Sequence, residues 1–385
     1  MSCQELPVDV LDVRAAQGSL RNEPSHSVCD RFVRRAVRAG VRSGGYHNHN
    51  YVLPLTEDVA RLVGRDKGTR VTVRIRRMDA LPVVIRTWPE ESAVLDAVQG
   101  VLPHVPECLA TGNDFAIHSY VEGTPLSGVC GDSEPVGLEV VRALTGLLAR
   151  TARVGRAALP PLPALWPADD MDSRGYLRTL VRLADLHIRQ PNWRTFGGLF
   201  AALGIPQDAL SDLAARVPEM AERPYGLLHA DLHRDNVITT RTGSPPLICV
   251  DWELATYGDP LHDLATHLVR MRYPEFQWDE VTAFWAQAME PVRPAAVRGL
   301  AEDLRHYVDF ERAQSVYPDV MRAARSLEDT LDDKGLDEAT LSVWRALEAA
   351  AEPLRLSSVP SRPQIERVLV RWAVSRAGNG LAPAA

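Results

Sequence analysis

Short apolar runs bounded by glycine, proline and small polar residues mark the strands of this chain. Val237-Ile238-Thr239-Thr240 is one such run and Leu247-Ile248-Cys249-Val250 another. The residues between them, Arg241 to Pro246, carry Gly243, Pro245 and Pro246 as a turn, so the pattern predicts a hairpin. Upstream, Leu81-Pro82-Val83-Val84-Ile85-Arg86 reads as a strand ending in a cation, and Glu90 to Val98 as a helix that opens on acids, where the helix dipole favours them. Ser43-Gly44-Gly45-Tyr46-His47-Asn48-His49-Asn50 is a glycine-bearing turn leading into the apolar run Tyr51-Val52-Leu53. Apolar positions recur at helical spacing over residues 205–222 and 292–352, which makes the later part of the chain largely α. The proline-rich residues 158–167 predict a loop within that part, with helical segments on both sides.

Composition narrows the class. A chain of 385 residues with 45% hydrophobic content can bury more than one core, and no apolar run approaches the length of a membrane span. The first residues carry Glu5, Asp9 and Asp12 and lack a basic-then-apolar signal pattern, so a cytoplasmic protein with no membrane partner is expected. Cysteines at 3, 29, 108, 130 and 249 are odd in number and scattered, which implies neither a disulfide framework nor a zinc site, and Cys249 reads as a core residue.

Charge adds an asymmetry. Residues 1–124 hold 15 basic and 15 acidic side chains, whereas residues 125–385 hold 28 and 35, so the whole net charge of −7 lies in the second part. An acidic cleft there would draw a basic small molecule and disfavour nucleic acid. Tyr307, Asp309 and Glu311 could line it, or could equally form an exposed helix face.

The chemistry concentrates at Leu228-His229-Ala230-Asp231-Leu232-His233-Arg234-Asp235-Asn236-Val237 and at Val250-Asp251-Trp252-Glu253. An H-x-D-x-x-x-x-N loop puts a carboxylate and an amide oxygen at opposite ends of one tight turn, so the acid can face an acceptor hydroxyl while the amide faces a metal. The predicted hairpin brings Asn236 beside Asp251, two hard oxygen ligands that nucleotide phosphates and waters would complete into a Mg2+ site. Metal and nucleotide should therefore bind together. The cluster His229-x-Asp231-x-His233 could also suggest a metal-dependent hydrolase, but alternating ligands need a continuous strand and Asp235-Asn236 argues for a turn.

Together with Tyr257-Gly258-Asp259-Pro260-Leu261-His262-Asp263-Leu264-Ala265, these residues resemble the aminoglycoside phosphotransferase and choline kinase family. The match is specific over residues 225–270. The resemblance implies an α+β, protein-kinase-like two-lobed fold, with a small N-terminal antiparallel β-sheet lobe plus helix at residues 1–116. A hinge at 117–124 and a larger, mostly α-helical catalytic and acceptor-binding lobe at 125–385 would follow. It implies a nucleotide-dependent O-phosphotransferase in which Asp231 is the catalytic carboxylate, Asn236 and Asp251 hold Mg2+, and His229 and Asp263 brace the loop from behind. Gly44 and Gly45 would cover the phosphates of ATP or GTP, with Arg86 paired to Glu91 beneath them. Arg86 fills this role because Lys67, the only lysine before the catalytic loop, sits in a turn. Phe115 to Gly123 resembles the hinge strand, where the backbone at Ser119 and Tyr120 would read the purine edge. The acceptor would be a small molecule with a hydroxyl group, either an antibiotic (aminoglycoside, nucleoside or macrolide) or a primary metabolite such as choline, homoserine or a methylthiosugar. Its binding residues and the oligomeric state are not written in the sequence. A protein kinase is disfavoured by the absence of an Asp-Phe-Gly and Ala-Pro-Glu pair, and a nucleotide-binding pseudoenzyme by the intact Asp231, Asn236 and Asp251.

Overall fold

Val71 and Val73 alternate with Thr72 and Arg74, and a period of two puts the valines on one face of a strand and the polar pair on the other. In a computed structural model of the chain, this is β3 (Arg70–Arg76), at the centre of a five-stranded sheet. The structure describes residues 23–379 apart from 103, 242 and 330, so Cys3, Glu5, Asp9 and Asp12 lie outside the described residues. The other strands are β1 (Val41–Ser43), β2 (Asn48–Pro54), β4 (Cys108–Thr111) and β5 (Phe115–Ser119). β1 with β2, β2 with β3, and β3 with β5 pair antiparallel. Helix α1 (Glu23–Ala39) presents Phe32 and Ala36 to Leu53, Val71, Val73 and Ile117, and α2 (Glu57–Leu62) adds Val59 and Ala60 to that core.

The chain divides into two units, Met1–Arg77 with Leu109–Tyr120, and Met78–Cys108 with Val121–Ala385. The second is mostly helical, with α3 (Ser92–Gln99), α4 (Leu138–Thr151), α5 (Ser173–Ala184), α6 (Gln190–Ala202), α7 (Ala209–Ala215), α8 (Pro260–Arg270), α9 (Trp278–Met289), α10 (Leu300–Asp329), α11 (Asp333–Ala350) and α12 (Arg362–Asn379). Two small antiparallel sheets carry its loops. One pairs β7 (Gly226–Leu228) with β10 (Thr256–Gly258), and the other runs β6 (Thr124–Pro125), β8 (Val237–Thr239), β9 (Leu247–Cys249). The hairpin read from the apolar runs is present, with Val237 opposite Cys249 and Thr239 opposite Leu247. The proline-rich loop also lies where its composition puts it, between α4 and α5, and Trp166 donates its indole N–H from there to the Tyr257 carbonyl at 2.7 Å. No helix among the described residues is long and apolar enough to cross a membrane.

One predicted element is absent. Residues 81–86 form no strand, because Pro82 has no N–H to give a ladder and restricts Leu81 before it. The segment instead packs in the second unit, where the Asn192 amide donates to the Pro82 carbonyl at 2.8 Å.

Candidate active site

The loop from β7 to β8 is held from three sides. Asp263, buried in the first turns of α8, accepts from the backbone N–H of His229 at 3.1 Å and of Ala230 at 2.8 Å. The buried His229 ring places Nε2 3.1 Å from the Val250 carbonyl and lies against the Trp252 indole. Burial pushes the His229 imidazole below its ordinary value against the pull of Asp263 and Asp231, so the neutral ring donates through Nε2. Arg234, buried, reaches backbone carbonyls of Cys130, Gly131, Glu134 and Met271. A single arginine satisfying four carbonyls fixes the short helical turn of residues 234–236.

That scaffold presents Asp231, whose side chain is 13% exposed. Arg270, the last residue of α8, donates from Nη1 to Asp231 Oδ1 at 2.5 Å. The other carboxylate oxygen, Oδ2, lies 3.4 Å from Asn236 Nδ2 and 3.7 Å from His233 Nε2. Asn236 Nδ2 also donates to the Asp231 carbonyl at 2.9 Å. With its nitrogen engaged, the amide has Oδ1 left as the atom able to meet a cation. The Asn236 backbone carbonyl accepts from Val250 N–H at 3.0 Å, which sets the next residue, Asp251, beside it. Ala230 and Asp251 both adopt left-handed backbone, with φ of 57° and 65°. Each costs a non-glycine residue on the order of 1 kcal/mol, a strain that ordinary turns avoid.

The segment after Asp251 is anchored by the two residues expected to form the phosphate clamp, although not as the sequence suggests. Glu91, at the N-cap of α3, accepts from Trp252 N–H at 2.8 Å, and Arg86 Nη2 lies 3.1 Å from Glu253 Oε2. Arg86 therefore is not a strand cation. Of the strand arginines that precede α3 (Arg42, Arg70, Arg74 and Arg76), the buried one is Arg74 of β3, 9% exposed on the face opposite Val71 and Val73, and the Val-Thr-Val-Arg alternation is the signal for it.

In the first unit, Gly44 and Gly45 occupy the β1–β2 turn. The Asn50 amide donates to the Gly44 carbonyl at 2.6 Å, and a Cβ on Gly45 would fall 2.6 Å from the Asn48 carbonyl oxygen, so only glycine fits there. Ser119 ends β5 opposite Val71, and Arg70 stacks over the Tyr120 ring at 4.4 Å.

Behind Asp231 lies a buried polar network that the sequence did not announce. Glu311 of α10, 2% exposed, meets Arg270 Nε through Oε2 at 3.4 Å and His262 Nε2 through Oε1 at 3.2 Å. His262 Nδ1 is 2.9 Å from the Tyr176 hydroxyl. Burial raises the Glu311 carboxyl, but Arg270 and His262 outweigh it and draw it down to about 2. Asp259 anchors a second buried network. Fully buried, it caps α8 through Leu261 N–H at 3.0 Å and receives Arg223 Nε and the Tyr307 hydroxyl, while Arg223 Nη1 reaches Asp303 at 2.6 Å. Of the three residues proposed for a cleft wall, only Glu311 lines the cavity beside Ala230 and Arg270.

Residues 39–300 match the model of the phosphotransferase enzyme family. No curated protein matches the chain in sequence. Among solved structures, a candidate aminoglycoside phosphotransferase from Ralstonia eutropha is similar over 91% of this chain and 98% of its own, at 14% identity and a TM-score of 0.50. The macrolide 2′-phosphotransferase of Brachybacterium faecium is similar over 82% of this chain and 98% of its own, at 17% identity and a TM-score of 0.45. The choline kinase of Streptococcus pneumoniae is similar over 85% and 99%, at 14% identity and a TM-score of 0.49. At such identities the Ralstonia protein speaks for a common fold and for nothing finer.

Proposed function

The chain belongs to the phosphotransferase enzyme family and is a small-molecule phosphotransferase, and from that premise we propose that it moves the terminal phosphoryl group of ATP or GTP to a hydroxyl of an antibiotic, as a resistance or self-protection enzyme. Asp231 takes the acceptor proton on Oδ2 as the acceptor oxygen bonds to phosphorus, the bond to the bridging oxygen breaks, and the nucleoside diphosphate leaves. Arg270 on Oδ1 holds the carboxylate in one orientation for that task. The single observation that carries this reading is the Asn236 amide, whose nitrogen is tied to the Asp231 carbonyl while the backbone carbonyl of the same residue accepts from Val250 N–H, one residue before Asp251.

Asn236 and Asp251 offer hard oxygens of the kind Mg2+ takes, and they fit such an ion by chemistry. When bound, Mg2+ neutralises charge on the phosphates and shields the attacking oxygen from it. His229 and Asp263 brace the catalytic loop, Gly44, Gly45, Ser119 and Tyr120 serve the nucleotide, and Arg86 and Glu91 serve it through the segment that follows Asp251. Residues 1–116, 117–124 and 125–385 act as nucleotide lobe, hinge and acceptor lobe.

Incubation with ATP or GTP, Mg2+ and a panel of aminoglycosides, nucleosides, macrolides and small alcohols, followed by mass spectrometry for a phosphate adduct, tests the reading. Adducts confined to choline, homoserine or a methylthiosugar would move it to primary metabolism. Glu311 and Asp259 already hold Arg270 and Arg223 and so add little attraction for a polyamine, which weighs against an aminoglycoside among these acceptors.

A further inference from the structure

The wall beside the catalytic carboxylate is built for an oxygen-bearing group. A cavity of ≈ 40 Å3 is lined by Ala230, Arg270, Glu311 and Gln314 with an apolar surround that includes Ile85, Leu254 and Phe310. A water needs on the order of 10–15 Å3 by the same measure, so the space admits about three heavy atoms, as many as a carboxylate has. Among the described residues Glu311 is the only carboxylate in that lining, and both its oxygens are engaged, Oε1 with His262 and Oε2 with Arg270 and with Gln314 Nε2 at 3.2 Å. A cationic ligand therefore finds no open acid there. Arg270 differs. It spends Nη1 on Asp231 and Nε on Glu311, while Nη2 has no protein partner among the described residues, and the side chain is 28% exposed. Burial works against the charge of Arg270, but the two acids that flank it outweigh this and hold the guanidinium well above the ordinary arginine range.

We propose that Arg270 determines acceptor specificity by offering Nη2 to a carboxylate or carbonyl oxygen next to the hydroxyl that is phosphorylated. The acceptor is thus a hydroxy compound with an anionic or strongly dipolar oxygen close to its reacting hydroxyl, and not a polyamine. A guanidinium fork can hold the catalytic carboxylate and a substrate oxyanion side by side, which a lysine ammonium cannot do in one plane. The same contact fixes the distance between the substrate hydroxyl and Asp231, because both are measured from one rigid group. This inference rests on the phosphotransferase reading above.

The experiment compares four probes of increasing positive character on the wild type, Arg270→Lys and Arg270→Gln, all with ATP and Mg2+: 4-hydroxybutyrate, its primary amide, 4-amino-1-butanol and kanamycin. Adducts are counted by mass spectrometry, KM and kcat are measured for each, and Mg2+-dependent nucleotide binding is followed by calorimetry. The expected result is a kcat/KM at least tenfold higher for the hydroxy acid than for the amino alcohol in the wild type. In Arg270→Gln that ratio falls toward one, mainly through KM, with nucleotide binding retained. Arg270→Lys keeps the charge and tolerates the buried Glu311 if Arg270→Gln fails to fold; it should retain part of the preference. A wild-type preference for either amine, a ratio unmoved in both variants, or nucleotide binding with no adduct on any probe overturns the inference. Loss of Mg2+-dependent nucleotide binding in the wild type overturns instead the phosphotransferase reading beneath it.

Discussion

His229 Nε2 sits 3.1 Å from the carbonyl of Val250, so one imidazole ties the loop that carries Asp231 to the strand end that delivers Asp251. Nδ1 of the same ring is buried without a partner among the described residues, which makes the ring a spacer of fixed tautomer and not a proton carrier. His229→Ala leaves the Val250 carbonyl unsatisfied and opens space beside Trp252. A loss on the order of 2 kcal/mol of stability is expected, with kcat reduced at least tenfold. Urea unfolding and steady-state kinetics check it, and an unchanged kcat would detach the ring from the alignment of the two acids.

Asp231→Asn keeps the shape of the side chain and removes its basicity. Turnover should fall by about 10² to 10⁴, the usual range for a positioned base, while nucleotide binding stays near the wild-type level. Equal turnover in the two proteins would remove Asp231 from proton transfer. Because Arg270 loses one of its two carboxylates in this variant, the pairing with Glu311 should keep α8 and α10 together.

Asp251→Ala and Asn236→Ala each delete one hard oxygen from the mouth of the hairpin. Both should abolish the Mg2+ dependence of nucleotide binding measured by calorimetry, and Asp251→Ala the more completely because it removes a full charge. Mg2+-dependent binding that survives in both variants would place the ion elsewhere.

The hairpin of residues 237–250 was legible because each strand is a short apolar run and the turn between them holds glycine and prolines. The bond from the Asn236 amide to the Asp231 carbonyl, and the place of Asp251 one residue after the Val250 N–H that meets the Asn236 carbonyl, follow from that one local element. The strand assigned to residues 81–86 failed for a local reason too, as an apolar run with Pro82 inside it is a buried irregular segment as readily as a strand. Arg270 could not be read at all, and Glu311 was legible only as a residue able to line a cleft, not as the partner of Arg270. Arg270 is 39 residues from Asp231, and only the packing of α8 against α10 brings the three side chains together.

The corrected strand assignment has a kinetic consequence. Arg74 is a buried arginine in a strand whose alternate residues fill the first core, and Arg86 pairs with Glu253 in an irregular segment. Arg74→Gln should raise the nucleotide KM at least tenfold, and Arg86→Gln should change it less while loosening the segment after Asp251. If Arg86→Gln raises the nucleotide KM more than Arg74→Gln does, the phosphate-facing cation is Arg86 after all.

Acid should unfold the protein in two separable windows. His267 is buried between the Leu232 carbonyl at 3.1 Å and the Tyr273 hydroxyl at 2.9 Å, and burial pushes its imidazole down to about 4. An unfolded chain takes up that proton near pH 6.5 and the folded one only near 4, so stability falls as pH drops through that interval. Glu311 behaves as the mirror case in charge: burial opposes its ionisation, Arg270 prevails, and the carboxyl titrates at about 2 in the fold against about 4.3 when unfolded. Its contribution is complete above the unfolded value and is lost as pH falls from there toward 2. Each shift corresponds to a contribution on the order of 3 kcal/mol, at 1.36 kcal/mol per pH unit. Urea midpoints measured from pH 7 to pH 3 should therefore decline in the wild type throughout. His267→Gln should flatten the limb above pH 4, and Glu311→Gln, though less stable overall, should flatten the limb below it. Identical slopes in all three proteins would mean that neither the buried imidazole nor the carboxylate behind Asp231 is held in the charge state its neighbours dictate.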